Sequence, residues 1–141
     1  MAAGGANRAM GGDKAMIAIG IGCRRGAPAT AIVAVVREAL AQLGGSDMPA
    51  RLFSIEQKRG EPGLIAAAQA LGLPLDFLSP EALREVEARV ATRSPRVEAA
   101  VGVASVSEAA ALAGAGAGAH LVAPRLTRGD VTCAIAQGRG S

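Results

Sequence analysis

Near its beginning the chain reads Ile17-Ala18-Ile19-Gly20-Ile21-Gly22-Cys23-Arg24-Arg25-Gly26-Ala27-Pro28. An apolar run enters a glycine-rich turn, and Pro28 suits the first turn of a helix because its missing N–H costs nothing there. From Thr30 to Leu43 the apolar residues recur at helical spacing, and Gly44-Gly45 closes the pattern as a C-terminal cap would. The sequence therefore predicts a strand, a glycine loop and a helix.

This glycine loop is a candidate anion-binding site. A strand–loop–helix turn directs backbone N–H groups and the positive end of a helix dipole toward one point, and Arg24 and Arg25 add full charges. Alternatively, the glycines serve a tight turn and close packing alone. Their spacing, Gly20-x-Gly22-x-x-x-Gly26, is one residue longer than the dinucleotide fingerprint, and no Gly-Lys-Ser/Thr follows. A nucleotide-binding module is therefore the weakest of the ligand hypotheses.

The composition excludes several classes of function. The 141 residues suffice for one domain with a sizeable core. Two Phe and no Tyr or Trp leave little aromatic surface for stacking bases, and a net charge of +3 favours acidic small molecules over nucleic acid. Two Cys and one His cannot form the usual structural zinc site, so no metal is expected. The glycine spacing disfavours a nicotinamide or flavin site, and no cofactor is expected.

Cysteine usage and hydropathy bear on location. No secretory signal precedes Cys23 and Cys133, so we expect no disulfide and a cytoplasmic protein. The longest weakly polar segment, Ala99 to Pro124, is interrupted by Glu108 and His120, so no membrane span is predicted.

Strand and helix signals alternate along the rest of the chain, and the segment from Val97 to Ala104 fits a short strand or a loop equally well. The predicted elements, in chain order, are the strand Ala50–Ile55, the helix Gly63–Leu71, the strand Leu73–Leu78, a helix capped by Ser79, a helix Ala109–Ala113 announced by Ser105, and the strands Ala119–Ala123 and Val131–Ala136, with Pro124–Asp130 as a hairpin connection. Residues 1–13 are predicted as a flexible tail, 14–137 as a single domain and 138–141 as a second tail.

This alternation predicts an α/β fold with three layers, α/β/α, around a mostly parallel sheet of about five strands with one antiparallel strand. In such sheets the ligand crevice lies beyond the carboxyl ends of the strands. We expect six cations from separate loops to meet at that edge, which would suit a ligand with several carboxylates or phosphates: Arg24, Arg25, Lys58, Arg59, Arg125 and Arg128.

Four motifs occur in an order that is more specific than these general patterns. They are Gly20-Ile21-Gly22-Cys23-Arg24-Arg25-Gly26, Lys58-Arg59-Gly60-Glu61-Pro62-Gly63-Leu64, Val101-Gly102-Val103-Ala104-Ser105-Val106-Ser107-Glu108-Ala109-Ala110-Ala111-Leu112 and Val131-Thr132-Cys133-Ala134-Ile135-Ala136. Together, from about Lys14 to Gln137, they resemble the CobE family of cobalamin biosynthesis and the matching C-terminal domain of CbiG, the cobalt-precorrin-5A hydrolase.

The resemblance implies a role in building the corrin ring, with a tetrapyrrole (corrinoid) intermediate as ligand and other corrin-pathway enzymes as partners. Such intermediates carry several acetate and propionate groups, which suit a cationic edge. The hydrolase is a longer, multidomain protein, so the chain is expected to be similar to the free-standing, CobE-like form.

Candidate site residues follow from these arguments. The ligand-binding candidates are Gly20, Gly22, Cys23, Arg24, Arg25, Gly26, Lys58, Ser105 and Arg125. If the chain kept hydrolase chemistry, opening a lactone and releasing a two-carbon unit, Glu61 and Glu108 are the candidate catalytic carboxylates, with Lys58 as electrophile.

Each catalytic candidate also has a structural interpretation. Glu108 fits the third position of a capping box with Ser105, and Glu61 fits a helix cap. Cys23 would become a nucleophile if the helix N-terminus and the two arginines lowered its pKa.

Overall fold

The computed structural model describes residues 16–44, 48–87, 106–116 and 118–139. Their secondary structure consists of strand β1 (Met16–Cys23), helix α1 (Ala29–Ala41), strand β2 (Ala50–Ile55), a 3₁₀ turn (Glu56–Lys58), helix α2 (Pro62–Leu71), strand β3 (Leu75–Leu78), helix α3 (Pro80–Val86), helix α4 (Val106–Ala115), strand β4 (His120–Arg128) and strand β5 (Val131–Gly138). The predicted helix start at Ser105 and the ambiguous segment from Val97 to Ala104 lie outside these residues, as do the first 13 residues of the chain.

The five strands form one sheet in the order β3-β2-β1-β5-β4. Strands β1, β2 and β3 are parallel, while β5 runs antiparallel to both of its neighbours. The predicted mixed sheet of a three-layer α/β/α fold is therefore confirmed. The antiparallel strand lies inside the sheet, where β5 pairs with β1 along its whole length from Met16↔Gly138 to Cys23↔Val131.

Two apolar cores lie on opposite faces of the sheet. Helices α1 and α2 cover one face through a cluster that includes Ile19, Ile32 and Leu64. Helices α3 and α4 cover the other face through a cluster that includes Leu83 and Leu112. Aliphatic side chains alternate along β1 between these two cores, as a strand with both faces buried requires.

The hairpin differs from the sequence-based expectation. Strand β4 continues past Ala123 and through Pro124 to Arg128, so that the turn contains only Gly129 and Asp130 instead of seven residues from Pro124. The pairing with β5 shifts register on either side of Ala123. Among the described strands β4 lies at an edge of the sheet, where a proline can be accommodated because one side of the strand needs no ladder donor.

Helix starts agree well with the local signals. Ser79 caps α3 as predicted, since its hydroxyl oxygen accepts a hydrogen bond from the backbone N–H of Ala82 at 3.1 Å. Pro62 and Pro80 occupy the first turns of α2 and α3.

Candidate functional site

A cavity of about 500 Å³ opens at the carboxyl ends of the first two strands. It is lined by Gly22, Cys23, Ser54, Ile55, Gln57, Lys58 and Val106. These residues come from the end of β1, the end of β2 with its 3₁₀ turn, and the start of α4. The cavity therefore lies where the crevice of a parallel α/β sheet is expected.

Side-chain hydrogen bonds hold the strand ends that form the cavity. The Ser54 hydroxyl donates to the carbonyl oxygen of Ile21 at 2.8 Å, joining β2 to β1. On the other side, the Thr132 hydroxyl donates to the carbonyl oxygen of Gly22 at 3.3 Å. A Cβ atom on Gly22 would lie 2.7 Å from that same hydroxyl oxygen, so the absence of a side chain permits this contact. The cavity wall is thus set by contacts between strands.

A hydrogen bond to Glu61 connects the glycine loop to the loop after β2. The backbone N–H of Gly26, which has φ +81°, donates to the Glu61 carboxylate at 2.7 Å. Glu61 stands at the N-cap position of α2 but forms no side-chain cap there, and it is 9% exposed. Glu61 does not line the cavity. Glu61 therefore links the glycine loop to the start of α2, a contact that neither of its predicted roles, helix cap or catalytic carboxylate, includes.

Cys23 lies on the cavity wall and is half-buried. Burial raises the pKa of its thiol; the positive charge of Lys58 opposes that rise and the charge of Glu61 adds to it. The lowered pKa that a nucleophilic Cys23 would need is therefore not found, because desolvation outweighs the nearby cation. Both cysteines are free, as predicted.

Three of the six predicted cations are engaged with neighbouring side chains. Arg24 pairs with Asp130 at 3.5 Å, and its side chain is 81% exposed. Arg59 lies over the Phe77 ring, 5.2 Å from the centroid, and 4.0 Å from Glu56. Arg128 pairs with Glu38 of α1.

The other three cations differ in where they lie. Arg25 is exposed and does not line the cavity, and Arg125 is partly buried within β4. Lys58 is half-buried and does line the cavity. The structure therefore places one of these six charges on the cavity wall.

Gly20 and Glu108 lie away from the cavity wall. Gly20 lies within β1 against the α4 backbone, where a Cβ atom would come within 1.9 Å of the Ser107 carbonyl oxygen. Glu108 is fully buried on α4, and its carboxylate accepts a hydrogen bond from the Arg125 backbone N–H at 3.1 Å. Both residues act in packing α4 against the sheet. Ser105, another candidate, lies outside the described residues.

Sequence reasoning missed four of the lining residues: Ser54, Ile55, Gln57 and Val106. The first two end a predicted strand, so the rule that ligands bind at carboxyl ends could have identified them. No local signal marks Val106, since it reaches the cavity through the packing of α4.

Neither a metal centre nor a membrane helix is found in the part of the chain that the structure describes. Within it, no three His, Cys, Asp or Glu side chains are grouped so as to hold a metal ion. No helix there has the length and apolar character needed to cross a membrane.

Comparison with known proteins decides the family. The family model described as "Cobalamin synthesis G C-terminus" matches residues 17–136. The chain belongs to this CbiG C-terminal family. The match includes all or most of every strand and helix described above, so the predicted resemblance is confirmed over residues 17–136.

Two curated relatives carry pathway names. The protein is 35% identical over 121 residues to Protein CobE from Sinorhizobium sp, covering 85% of this chain and 79% of the relative. It is 34% identical over 122 residues to the cobalt-precorrin-5A hydrolase of Priestia megaterium, covering 86% of this chain but 32% of the hydrolase. The chain thus spans about a third of that enzyme.

Solved structures show the same relationship. A crystal structure of CobE, described as a protein from the cobalamin (vitamin B12) biosynthetic pathway, matches with a TM-score of 0.77 and 35% identity over 87% of this chain and 90% of that one. The cobalamin biosynthesis protein chiG from Agrobacterium tumefaciens matches with a TM-score of 0.65 and 44% identity, covering 86% and 97% of the two chains.

Proposed function

We propose that this protein of the CbiG C-terminal family acts in cobalamin biosynthesis by binding a polycarboxylate tetrapyrrole intermediate. One edge of the flat ring enters the cavity, and the remaining carboxylates lie over the exposed glycine loop with Arg24 and Arg25. The observation that carries the proposal is a cavity with apolar walls and a lysine at the carboxyl edge of the sheet, in a family named for cobalamin synthesis. The volume of this cavity is within the ~300–1,000 Å³ usual for ligand sites.

The walls of the cavity fit this class of ligand. Ile55 and Val106 offer apolar surface to a ring edge, while Lys58 and the Gln57 amide offer hydrogen-bond donors to a carboxylate. Arg24 and Arg25 are exposed in the adjoining loop, so they remain accessible to carboxylates that stay outside the cavity.

A spectroscopic titration tests the proposal. Purified protein is titrated with a hydrogenobyrinate-type corrin, with NADH as the control ligand, and the change in the visible absorption band is followed. Saturable binding at micromolar concentrations with no response to NADH supports the proposal. No affinity for the corrin, or tighter binding of NADH, would refute it.

The double variant Arg24→Ala/Arg25→Ala tests the placement of the ligand. We expect weaker corrin binding, by ~10-fold if each charge contributes ~0.5–1 kcal/mol, with an unchanged unfolding midpoint because both side chains are exposed. Arg37→Ala is the matched control, since Arg37 is an exposed cation of α1 beside a separate cavity that includes Ile17 and Ala50. Equal affinity of the double variant and the control would place the ligand elsewhere.

A second candidate function is hydrolysis of a precorrin lactone, which the 34% identical relative named cobalt-precorrin-5A hydrolase favours. It requires a base that reaches water at the cavity. Release of a two-carbon aldehyde from a lactone substrate, lost in Glu61→Gln or in Glu108→Gln while the fold persists, would support it. Turnover that is unchanged in both variants would remove these carboxylates from the mechanism.

A further inference from the structure

We infer that Lys58 makes the cavity selective for a free side-chain carboxylate, against the corresponding amide, on the ring edge that enters it. This inference rests on the proposed function, because it names the chemical form of the tetrapyrrole that the same cavity accepts. Lys58 would then distinguish between two ligands of nearly identical shape.

The position of Lys58 is the first argument. It is the last residue of the 3₁₀ turn that follows β2, and this turn directs it to the cavity wall beside Gln57 and Ile55. Lys58 is half-buried, so its charge is less well hydrated than that of an exposed surface lysine. The positive charge of Lys58 also acts on the thiol of Cys23, another lining residue, where it opposes the rise in pKa that burial causes.

The second argument concerns counter-ions. Lys58 forms no ion pair with any residue that the structure describes. The nearby carboxylates have other partners: Glu56 lies beside Arg59, and Glu61 accepts the N–H of Gly26. The cavity thus presents a positive charge that the described carboxylates leave without a partner, and an incoming anion would supply one.

The third argument is the chemistry of the group that enters. A carboxylate accepts a charge-assisted hydrogen bond from the ammonium. An amide offers only a neutral carbonyl oxygen as acceptor, and its NH₂ group cannot donate to the ammonium, which has no acceptor. Such charge-assisted bonds are about twice as strong as neutral ones. We therefore expect the acid form to bind ~10-fold more tightly than the amide form, because a hydrogen bond to a charged group contributes about one order of magnitude more to binding.

The experiment compares two probes on three proteins. A corrin with free side-chain carboxylates and the same corrin with those side chains converted to amides are titrated into the wild type, Lys58→Gln and Lys58→Arg. We expect the wild type to prefer the acid by ~10-fold or more. Lys58→Gln should lose ~10-fold of this preference while Arg24 and Arg25 retain the remainder, and Lys58→Arg should restore most of what is lost because it retains the charge.

Arg25→Gln is the matched control, because it removes a positive charge of the adjoining glycine loop at a residue that does not itself line the cavity. It should weaken binding of the acid corrin modestly while leaving a greater preference for the acid than Lys58→Gln leaves. Circular dichroism and unfolding midpoints confirm that all variants are folded.

The outcomes separate this inference from the proposed function. If the wild type binds the acid and amide corrins equally, or if Lys58→Gln keeps the full preference, the selectivity of Lys58 is overturned while tetrapyrrole binding stands. If the wild type binds neither corrin, the proposed function itself fails and the inference fails with it.

Discussion

At the scale of single residues, two glycines determine how closely neighbouring elements of this protein pack. Gly20 lies in the centre of β1, and its bare backbone lets α4 approach the sheet. Gly63 lets the start of α2 approach the glycine loop, since a Cβ atom there would lie 2.1 Å from the Ala27 carbonyl oxygen. Small residues therefore set the spacing between layers in a core with little aromatic volume.

Gly20→Ala should destabilise the fold by ~1–3 kcal/mol or more, because the added methyl group meets backbone atoms that cannot rotate away. Its Cβ atom would lie 1.9 Å from the Ser107 carbonyl oxygen and 2.6 Å from the Ala111 nitrogen. Urea unfolding measures the change. Gly60→Ala is the control, since no atom lies within 4 Å of a Cβ atom there and its φ is not positive. Equal stability of the two variants would contradict the close approach of α4.

The two cysteines should differ sharply in reactivity. Burial raises the pKa of Cys133 to about 12, and it raises the pKa of the half-buried Cys23 above the usual value of a thiol. Because the thiolate is the reactive form, alkylation of Cys23 by iodoacetamide should be slower than that of a free thiol near pH 8 and should accelerate as the pH passes 9. Cys133 should react only after unfolding. Mass spectrometry of timed samples measures both rates of alkylation. Fast labelling of Cys23 at neutral pH would contradict the raised pKa and support Cys23 as a nucleophile.

At the scale of elements, helix α4 is held to the edge strand β4 by a buried carboxylate. Glu108 is fully buried, and it accepts the backbone N–H of Arg125 where β4 shifts register against β5. A bulged strand leaves backbone groups without ladder partners, so a side-chain acceptor from the neighbouring layer stabilises the irregularity. Glu108 thereby couples a helix to a strand that lies 17 residues further along the chain.

Glu108→Ala should lower the free energy of unfolding by ~1–3 kcal/mol, because the Arg125 N–H loses its side-chain acceptor. Thermal unfolding measures the loss, and faster hydrogen exchange in β4 should accompany it. Glu85→Ala on α3 removes an exposed carboxylate and should change stability by less than ~0.5 kcal/mol. If the wild type hydrolyses a lactone substrate, a Glu108→Ala protein that stays equally stable but loses this activity would instead favour a catalytic role.

At the scale of the whole molecule, the described strands differ in how many neighbours they have. Strands β2, β1 and β5 are paired on both sides, whereas β3 and β4 each have one partner among the described strands. The carboxyl ends of β1 and β2 meet the start of α4 at the cavity, so strands paired on both sides carry the proposed binding site.

Hydrogen exchange should follow this arrangement. Amides of β1 and β5 should exchange most slowly because they are paired on both sides and covered by helices on both faces, and those of β3 and β4 should exchange faster. Mass spectrometry on peptides covering residues 16–23 and 131–138, compared with 75–78 and 120–128, tests the order. Slower exchange in the edge strands would show that the pairing is different.

Much of the fold was already present in local patterns of the sequence. The apolar run before Gly22, the prolines in the first turns of helices and the Ser79 cap are read from consecutive residues, because strand and helix formation depends on spacing and backbone preferences over a few positions. The order of four motifs was sufficient to place the chain in its family.

The site depended on contacts that no local pattern contains. Glu61 meets Gly26 across 35 residues, and Val106 reaches the wall beside Gly22 and Lys58 only because α4 packs against β1. Three-dimensional packing likewise decides which cations pair with a carboxylate and which cations line the cavity. Such contacts join residues that are distant in sequence, so their energies are defined by the assembled layers and not by neighbouring residues along the chain.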